Sequence, residues 1–175
     1  HLVLRRQRQM CIRDSRRQLP DVAWRTTFIV GFPTETDQDF EELVDFVSEG
    51  HFQHLGIFLY SDEDNIRSSK FGDPIPLSLK EERKNRLMEI QQKISREHHQ
   101  KMVGSLQQVL VGGFSSETDL LLEGRNQYQG PEVDGVVYIN EGNATSAGFH
   151  QVEITEAHEY DFCLLYTSDA ADEER

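Results

Sequence analysis

The spacing of apolar residues changes near residue 105, and this change divides the chain into two parts of different fold class. Before it, two apolar runs, at 28–30 and 55–61, flank a segment with helical periodicity. After it, short apolar segments (LQQVLVGG, TDLLLEG, GVVYINE and HQVEITEA) alternate with Gly, Ser, Asn and Pro clusters at roughly ten-residue spacing. The sequence therefore predicts an α/β part followed by a small antiparallel β-barrel of about sixty residues.

The stretch RTTFIVGFPTET, residues 25–36, carries the first predicted strand. No polar residue interrupts its apolar run Phe28–Val30, which is typical of a strand that is buried on both faces. Gly31 and Pro33 end the strand, and the threonines that follow open a helix. Ligands of α/β proteins bind at the carboxyl ends of parallel strands, so this turn is the first candidate for a functional site.

The helix after this turn is amphipathic and is about twelve residues long. Thr36 and Asp39 have the spacing of a capping box. Four apolar residues form one stripe: Phe40, Leu43, Val44 and Val47. Because strand, helix and strand follow one another here, we expect a βαβ unit with parallel strands.

A second helix is predicted at 78–102, after a polar loop at 62–77. Ser78 and Glu81 form an S-x-x-E capping box at its start. Its apolar stripe is narrow, so we expect the helix to lie on a surface.

Charge is distributed unevenly along the chain. The net charge is −13, yet residues 1–25 hold seven arginines and two aspartates. Residues 105–162 hold ten acids and one base, which gives this segment a net charge of 1 − 10 = −9. An acidic surface repels phosphate and attracts basic partners.

Several classes of chemistry lack their motifs in this sequence. It contains no H-E-x-x-H, G-x-S-x-G, P-loop or G-x-G-x-x-G pattern, and Cys11 and Cys163 lie far apart. It also has no apolar stretch of about eighteen residues and no signal peptide, so we expect a cytoplasmic protein without a membrane partner. On pattern alone, the strand ends are most simply interpreted as a tight βα turn and core. The alternative is a ligand site in which Gly31 admits the ligand and Phe58 and Tyr60 contact its ring.

Five stretches resemble one family, the radical S-adenosylmethionine methylthiotransferases: RTTFIVGFPTET, LGIFLYS, KEERKNRLMEIQQKIS, TDLLLEGRNQYQGPEVDGVVYIN and VEITEAHEYD. The resemblance extends from about residue 16 to about residue 162. DLLLEGR and PEVDGVVYIN are most similar to the subfamily that modifies an aspartate of a small-subunit ribosomal protein. The resemblance implies the last strands and helices of a partial TIM-type barrel at 16–77, a connecting helix at 78–104 and an OB-like barrel, the TRAM domain, at 105–163.

This resemblance implies part of a cofactor site, and it also shows that the family's cluster-binding cysteines are missing from this sequence. One group of residues would line the adenosine side of the S-adenosylmethionine pocket: Thr27, Ile29, Gly31, Phe58 and Tyr60. The family holds its 4Fe-4S clusters with cysteine-rich segments that do not occur in this sequence. We therefore expect no metal or catalytic residue in this chain, weak or no cofactor binding by the chain alone, and no activity of what the resemblance implies is a C-terminal fragment.

The acidic barrel indicates the kind of partner. We expect it to bind a basic small-subunit ribosomal protein as substrate, through five acids: Glu117, Asp119, Glu123, Glu132 and Asp134. Its charge disfavours nucleic acid, and we expect a monomer. Two alternatives remain open, a transfer-RNA methylthiotransferase and a non-catalytic acidic binding module. Residues 1–15 and 164–175 fit neither the family nor a structural pattern, and we expect both tracts to be non-native or disordered.

Overall fold

The computed structural model describes residues 2–63, 68–115, 118–131, 133–141, 148–158 and 162–166. The helices are α1 (Leu2–Gln18), α2 (Asp37–Ser48) and α3 (Leu77–Gln100), with a short 3-10 turn at Ser69–Phe71. The strands are β1 (Arg25–Val30), β2 (His54–Leu59), β3 (Leu106–Phe114), β4 (Leu122–Asn126), β5 (Val137–Glu141), β6 (Gly148–Ala157) and β7 (Phe162–Tyr166). The chain divides into two compact units, residues 1–94 and 95–175. Among the described helices, none is long and apolar enough to cross a membrane.

The first unit contains the predicted βαβ arrangement. β1 and β2 pair in parallel, beginning with Arg25 opposite His54. α2 connects them and starts with the predicted capping box. The Thr36 hydroxyl accepts a hydrogen bond from the Asp39 amide, and the Asp39 carboxylate accepts one from the Thr36 amide, both at 3.1 Å. These two bonds satisfy backbone donors that a helix start would otherwise leave unpaired.

The core of this unit lies between the sheet and the helices. It consists of Val30, Phe40, Val44, Val47, Ile57 and Leu87, and Leu43 packs against it. This confirms the predicted apolar stripe of α2. The prediction that the first strand is buried on both faces is wrong, because Ile29 is 57% exposed. Side chains alternate between the two faces of a strand, and among the described residues α2 and α3 cover only the face that carries Val30.

α3 begins and ends close to the predicted bounds. It starts at Leu77 rather than after an N-cap at Ser78, because the Pro76 carbonyl accepts hydrogen bonds from the amides of Leu79 and Lys80 at 3.1 and 3.2 Å. It ends at Gln100, two residues before the predicted end.

The second unit contains a closed barrel of five strands in the order β3-β4-β5-β7-β6. All four predicted segments form strands, and β3 pairs with β6 to close the ring. The interior is filled by aliphatic side chains: Val109, Val111, Val137, Ile139, Val152 and Ile154. The prediction of a wholly antiparallel barrel is wrong, because β5 and β7 pair in parallel. A closed ring with an odd number of strands cannot alternate direction throughout, so one parallel pair is required.

Both ends of the described chain contain regular structure where we expected none. Residues 2–15 lie in α1, and residues 164–166 lie in β7. Residues 167–175 are outside the described part. Arg13 of α1 donates a hydrogen bond from Nε to Glu49 Oε2 at 2.7 Å, which ties α1 to the end of α2. That residues 1–15 are non-native or disordered stays a prediction.

Candidate functional site

The face of the β1–β2 sheet that the helices leave uncovered carries an apolar pair. Ile29 and Phe58 are direct neighbours in the strand register, and they are 57% and 62% exposed. The next pair on the same face is Thr27 opposite Gly56. Because glycine has no side chain, this second pair forms a shallow floor beside the two large side chains. An apolar surface of this shape can contact the flat face of a ring.

Gly31 and Tyr60 follow β1 and β2 at their carboxyl ends. The Tyr60 amide donates a hydrogen bond to the Val30 carbonyl at 2.9 Å, which extends the ladder by one step. Gly31 has a φ of 76°, a left-handed conformation that favours glycine. Its amide donates to Glu35 Oε1 at 3.1 Å. Both Gly31 and Tyr60 are buried, in contrast to Ile29 and Phe58.

Lys80 crosses the carboxyl end of the sheet from the first turn of α3. It is 2% exposed, and its ammonium donates to the Tyr60 carbonyl at 2.8 Å and to Asp73 Oδ2 at 2.6 Å. Its stem passes over Gly31 so closely that a Cβ at that position would lie 2.4 Å from Lys80 Cγ. A buried ammonium is costly unless it is paired and hydrogen-bonded, and both conditions are met here. Lys80 therefore joins α3, both strand ends and the loop that carries Asp73.

Three aromatic rings lie at the same end of the sheet. The Tyr60 and Phe32 rings are 5.3 Å apart and meet edge to face, and the Phe32 and Phe71 rings are 6.4 Å apart. The Lys80 ammonium lies 5.5 Å from the centre of the Tyr60 ring. Edge-to-face pairs and a cation beside an aromatic ring are both favourable arrangements. Tyr60 is therefore held through its ring as well as through its backbone.

Arg83, one helical turn beyond Lys80, fixes the turn between β1 and α2. Its guanidinium pairs with Glu35, the residue that accepts the Gly31 amide, and with Asp37 Oδ1 at 2.6 Å. It also lies 5.2 Å from the centre of the Phe40 ring. Because Arg83 is almost fully buried, these bonds fix the backbone of the turn more firmly than a surface ion pair would.

The Tyr60 hydroxyl is the unusual atom of this site. Tyr60 is 7% exposed, and among the described residues no donor or acceptor lies within hydrogen-bonding distance of its hydroxyl oxygen. A buried hydroxyl without a partner costs about 1–3 kcal/mol, so such an atom calls for an explanation.

The structure brings the five predicted pocket residues together on two neighbouring strands. Thr27, Ile29 and Phe58 lie on the uncovered face, whereas Gly31 and Tyr60 are buried at its carboxyl end. Sequence reasoning missed four charged residues that fix this end: Glu35, Asp73, Lys80 and Arg83. The sequence contains no signal for Lys80, because the start predicted at Ser78 places Glu81 beside it in the first turn, and acids are the usual residues there.

The acids predicted to bind a partner are only partly described. Asp119 is exposed, and Glu123 lies in β4, opposite Tyr138 of β5. Asp134 accepts a hydrogen bond from the Gly130 amide at 2.6 Å, so it also stabilises a turn. Glu117 and Glu132 lie outside the described residues. In the described part of the chain, no group of three or more His, Cys, Asp or Glu side chains could hold a metal ion.

Comparison with known proteins identifies the relatives of this chain. The TRAM domain family matches residues 103–163, which contain the barrel. The ribosomal protein uS12 methylthiotransferase RimO of Desulfotalea psychrophila is 47% identical over 147 residues, which is 84% of this chain and 33% of that protein. Over the matched segment, the chain is RimO-like. RimO of Bdellovibrio bacteriovorus is 47% identical over 87% of the chain, and RimO of Aquifex aeolicus is 43% identical over 86%. The chain spans about a third of the length of these RimO proteins.

Proposed function

We propose that this chain is part of a methylthiotransferase that modifies an aspartate of ribosomal protein uS12, and that the β1–β2 strand ends form one wall of its S-adenosylmethionine site. The observation that carries the proposal is the 47% identity to a ribosomal protein uS12 methylthiotransferase over 84% of the chain. The open apolar face at the strand ends is further support, because an exposed apolar patch marks a surface that a ligand or another part of a protein covers.

The residues at the strand ends fit the adenosine part of this cofactor. Ile29 and Phe58 offer an exposed apolar surface to the adenine ring, and Thr27 offers a hydroxyl beside them. The Tyr60 hydroxyl is a further polar group without a partner in the described structure. S-adenosylmethionine supplies radical chemistry when it is bound. The part assigned to this chain is to bind and orient the nucleoside and to exclude water from one side of it.

The described residues do not fit an iron–sulfur cluster. Such clusters are held by several cysteine thiolates, and the cysteine whose side chain is described, Cys11, is exposed on α1. No step of the proposed reaction is therefore assigned to a cluster held by these residues.

The barrel is proposed to hold the substrate protein. Residues 105–162 carry a net charge of −9, and an acidic surface attracts a basic protein and repels phosphate. This charge favours a protein substrate over transfer RNA. Of the five predicted acids, Asp119, Glu123 and Asp134 are described, and Asp134 is already engaged by the Gly130 amide, so Asp119 and Glu123 are the two assigned to the substrate protein.

A chimeric enzyme tests the proposal. The segment of Desulfotalea psychrophila RimO that matches this chain is replaced by the matching 147 residues of this chain, and the purified chimera is incubated with uS12 and S-adenosylmethionine. Mass spectrometry of uS12 measures the methylthio group. We expect modification of the aspartate at a rate within about a hundredfold of the parent enzyme, because a shift of about 1 Å at a binding wall costs that much.

Three other outcomes decide between the alternatives. A folded chimera that cleaves the cofactor but modifies transfer RNA instead of uS12 would favour the transfer-RNA enzyme. A folded chimera that binds uS12 without chemistry would favour a binding module.

In the charge-reversed chimera with Asp119→Lys and Glu123→Lys, the KM for uS12 should rise and kcat should stay the same. An unchanged KM would remove the barrel from substrate binding.

A further inference from the structure

The outer wall of the barrel carries an apolar pair that takes no part in the barrel core. Side chains alternate along a strand, so Val109 and Val111 fill the interior and Leu110, between them, faces outward. Phe149 of β6 lies directly opposite Leu110 in the strand register and is 69% exposed. An exposed phenylalanine beside a leucine is the kind of surface that a partner covers.

The wall beside this pair is bare backbone. β3 has a bulge between Val111 and Gly113, and Gly113 then pairs with Glu123 of β4. A Cβ added at Gly113 would meet no atom within 4 Å beyond its chain neighbours, and one at Gly112 would meet none closer than 3.8 Å. Because these glycines leave the backbone uncovered, a segment of another chain can approach the wall closely here.

An acid and a second aromatic ring lie on the other side of the glycines. Glu123 precedes the buried Gly124, so its side chain faces outward. Tyr138 of β5 is opposite Glu123, and it also faces outward, because its neighbours Val137 and Ile139 lie in the core. A carboxylate beside aromatic rings suits a lysine or arginine side chain, whose charge pairs with the acid and whose cation is attracted to a ring face.

The outer patch consists of five residues on four adjacent strands: Leu110, Gly112, Glu123, Tyr138 and Phe149. We propose that the barrel binds a lysine- and arginine-rich segment of its protein substrate on this outer patch. The inference rests on the proposed function, since it takes uS12 as that protein. The net charge of −9 over residues 105–162 favours a basic occupant over nucleic acid or a second copy of this acidic chain. Charge brings the partner to the barrel, and the apolar pair then holds it.

The one base of this segment, Arg125, provides an internal test. It lies opposite Leu110 on the side away from Phe149, so it borders the outer patch. A cation beside a site for cations weakens binding, whereas a cation that itself contacts the partner strengthens it. The two cases predict changes of opposite sign when Arg125 is neutralised.

The first measurement is calorimetric binding of purified uS12 to the 175-residue chain. Phe149→Ala should raise Kd about tenfold, as for a ring near the centre of an interface. Phe149→Leu keeps an apolar side chain without the ring face, so Kd should rise only about threefold. Leu106→Ala is the matched control, because Leu106 is 62% exposed and lies about 13 Å along β3 from Leu110. Its Kd should not change.

Several results of this titration would overturn the proposal. They are no binding of uS12 by the parent chain, an unchanged Kd in Phe149→Ala, and an equal loss in Leu106→Ala. Circular dichroism checks that each variant keeps the Tm of the parent, as expected for exposed positions. If Phe149→Ala did not fold, Phe149→Leu would decide the outcome.

The second measurement separates the two charges beside the outer patch. Glu123→Gln should raise Kd about threefold and make it less dependent on salt, and Arg125→Gln should lower Kd about twofold. A rise in Kd for Arg125→Gln would mean that the wall does not select a cation there, and it would overturn the proposal.

The third measurement tests the other occupants. Sedimentation of the chain alone shows whether it forms a dimer that Phe149→Ala dissociates, and a labelled single-stranded RNA shows whether Phe149 supports binding of nucleic acid. Either result would assign the outer patch to that occupant and overturn the proposal. Monomers that do not bind the RNA are expected.

The chimera distinguishes this inference from the proposed function. In the chimera, Phe149→Ala should raise the KM for uS12 and leave kcat unchanged. An active chimera whose KM does not respond to Phe149→Ala would overturn the role of the outer patch alone. An inactive chimera, with binding of uS12 to the free chain that depends on Phe149, would overturn the proposed function alone.

Discussion

The two units of this chain solve the problem of strand edges in opposite ways. The barrel pairs every one of its described strands on both sides and fills its interior with valine and isoleucine side chains. In its described residues, the first unit has two strands, covers one sheet face with α2 and α3, and leaves Ile29 and Phe58 exposed on the other. A closed ring has no unpaired edge, whereas an open sheet has two. The interior of the barrel is therefore complete within its own unit, whereas the open face of the first unit is the surface proposed to bind a ligand.

The largest effect is expected at the barrel wall. In Gly124→Val, the new Cβ would lie 2.6 Å from Val109 Cγ1 and 2.8 Å from the Leu110 carbonyl oxygen. Because the backbone atom cannot move aside, we expect a loss of about 3 kcal/mol or more of unfolding free energy. Thermal unfolding measured by circular dichroism tests this. Gly112→Ala is the control, since its Cβ would meet nothing closer than 3.8 Å. Equal stability of the two variants would contradict a tightly closed wall.

The next effect is in the core of the first unit. Leu87 of α3 is fully buried in the core that this helix forms with the sheet. Leu87→Ala should therefore cost about 2–5 kcal/mol of unfolding free energy through lost burial and the cavity that remains. Leu77→Ala, at an exposed position of the same helix, should change stability by less than about 0.5 kcal/mol. Denaturant unfolding gives both values. A small loss at Leu87 would mean that α3 packs on the sheet less tightly than the structure has it.

The sharpest comparison is between two adjacent residues of β1. Val30→Thr places a hydroxyl in the core and should cost about 1–3 kcal/mol. Ile29→Thr, on the open face, should cost less than about 0.5 kcal/mol, because the side chain is already largely in solvent. Denaturant unfolding measures both values. If Ile29→Thr proved as destabilising as Val30→Thr, the face described as open would be covered in solution.

The smallest effect is a surface contact between α1 and α2. The hydrogen bond from Arg13 lowers the pKa of Glu49 from 4.5 to about 2, with a smaller contribution from His51, while desolvation opposes the shift. Since the folded pKa is the lower one, the stabilisation is present above about pH 4.5 and is lost as the pH falls toward 2. Acid titration of Glu49→Gln should therefore lack part of the loss seen in the parent between these values. The difference is small because solvent screens the pair. An identical acid transition in both proteins would contradict the contact.

Much of the fold was predictable from the sequence because its signals are local. The capping box at Thr36 and the apolar stripe of α2 are short-range patterns, and both are present in the structure. The exposure of Ile29 was not predictable, because an apolar run in the sequence does not show whether one or both faces of the strand are covered by other elements. The parallel pairing of β5 with β7 was missed for a similar reason. It depends on the number of strands in the barrel, and the sequence of a single strand does not contain that information.

The candidate site was predicted in outline only. Gly31, Phe58 and Tyr60 could be named from their positions at the ends of two apolar runs, whereas Thr27 and Ile29 came from the resemblance to the methylthiotransferase family. Lys80 and Arg83 lie about fifty residues after Gly31 in the sequence, and only the packing of α3 onto the sheet brings them to the turn. No local pattern around Lys80 or Arg83 identifies the residues that they contact.

The arrangement of the ring also fixes the order in which the second unit can be completed during synthesis. β5 pairs with β4 before it and with β7 after it, and β6 needs both β3 and β7 as neighbours. The nascent chain can pair β3, β4 and β5 early, because they are consecutive in the sequence. The barrel stays open until residues 162–166 have emerged from the ribosome. Translation of β7 therefore converts a curved open sheet with two unpaired edges into a closed barrel.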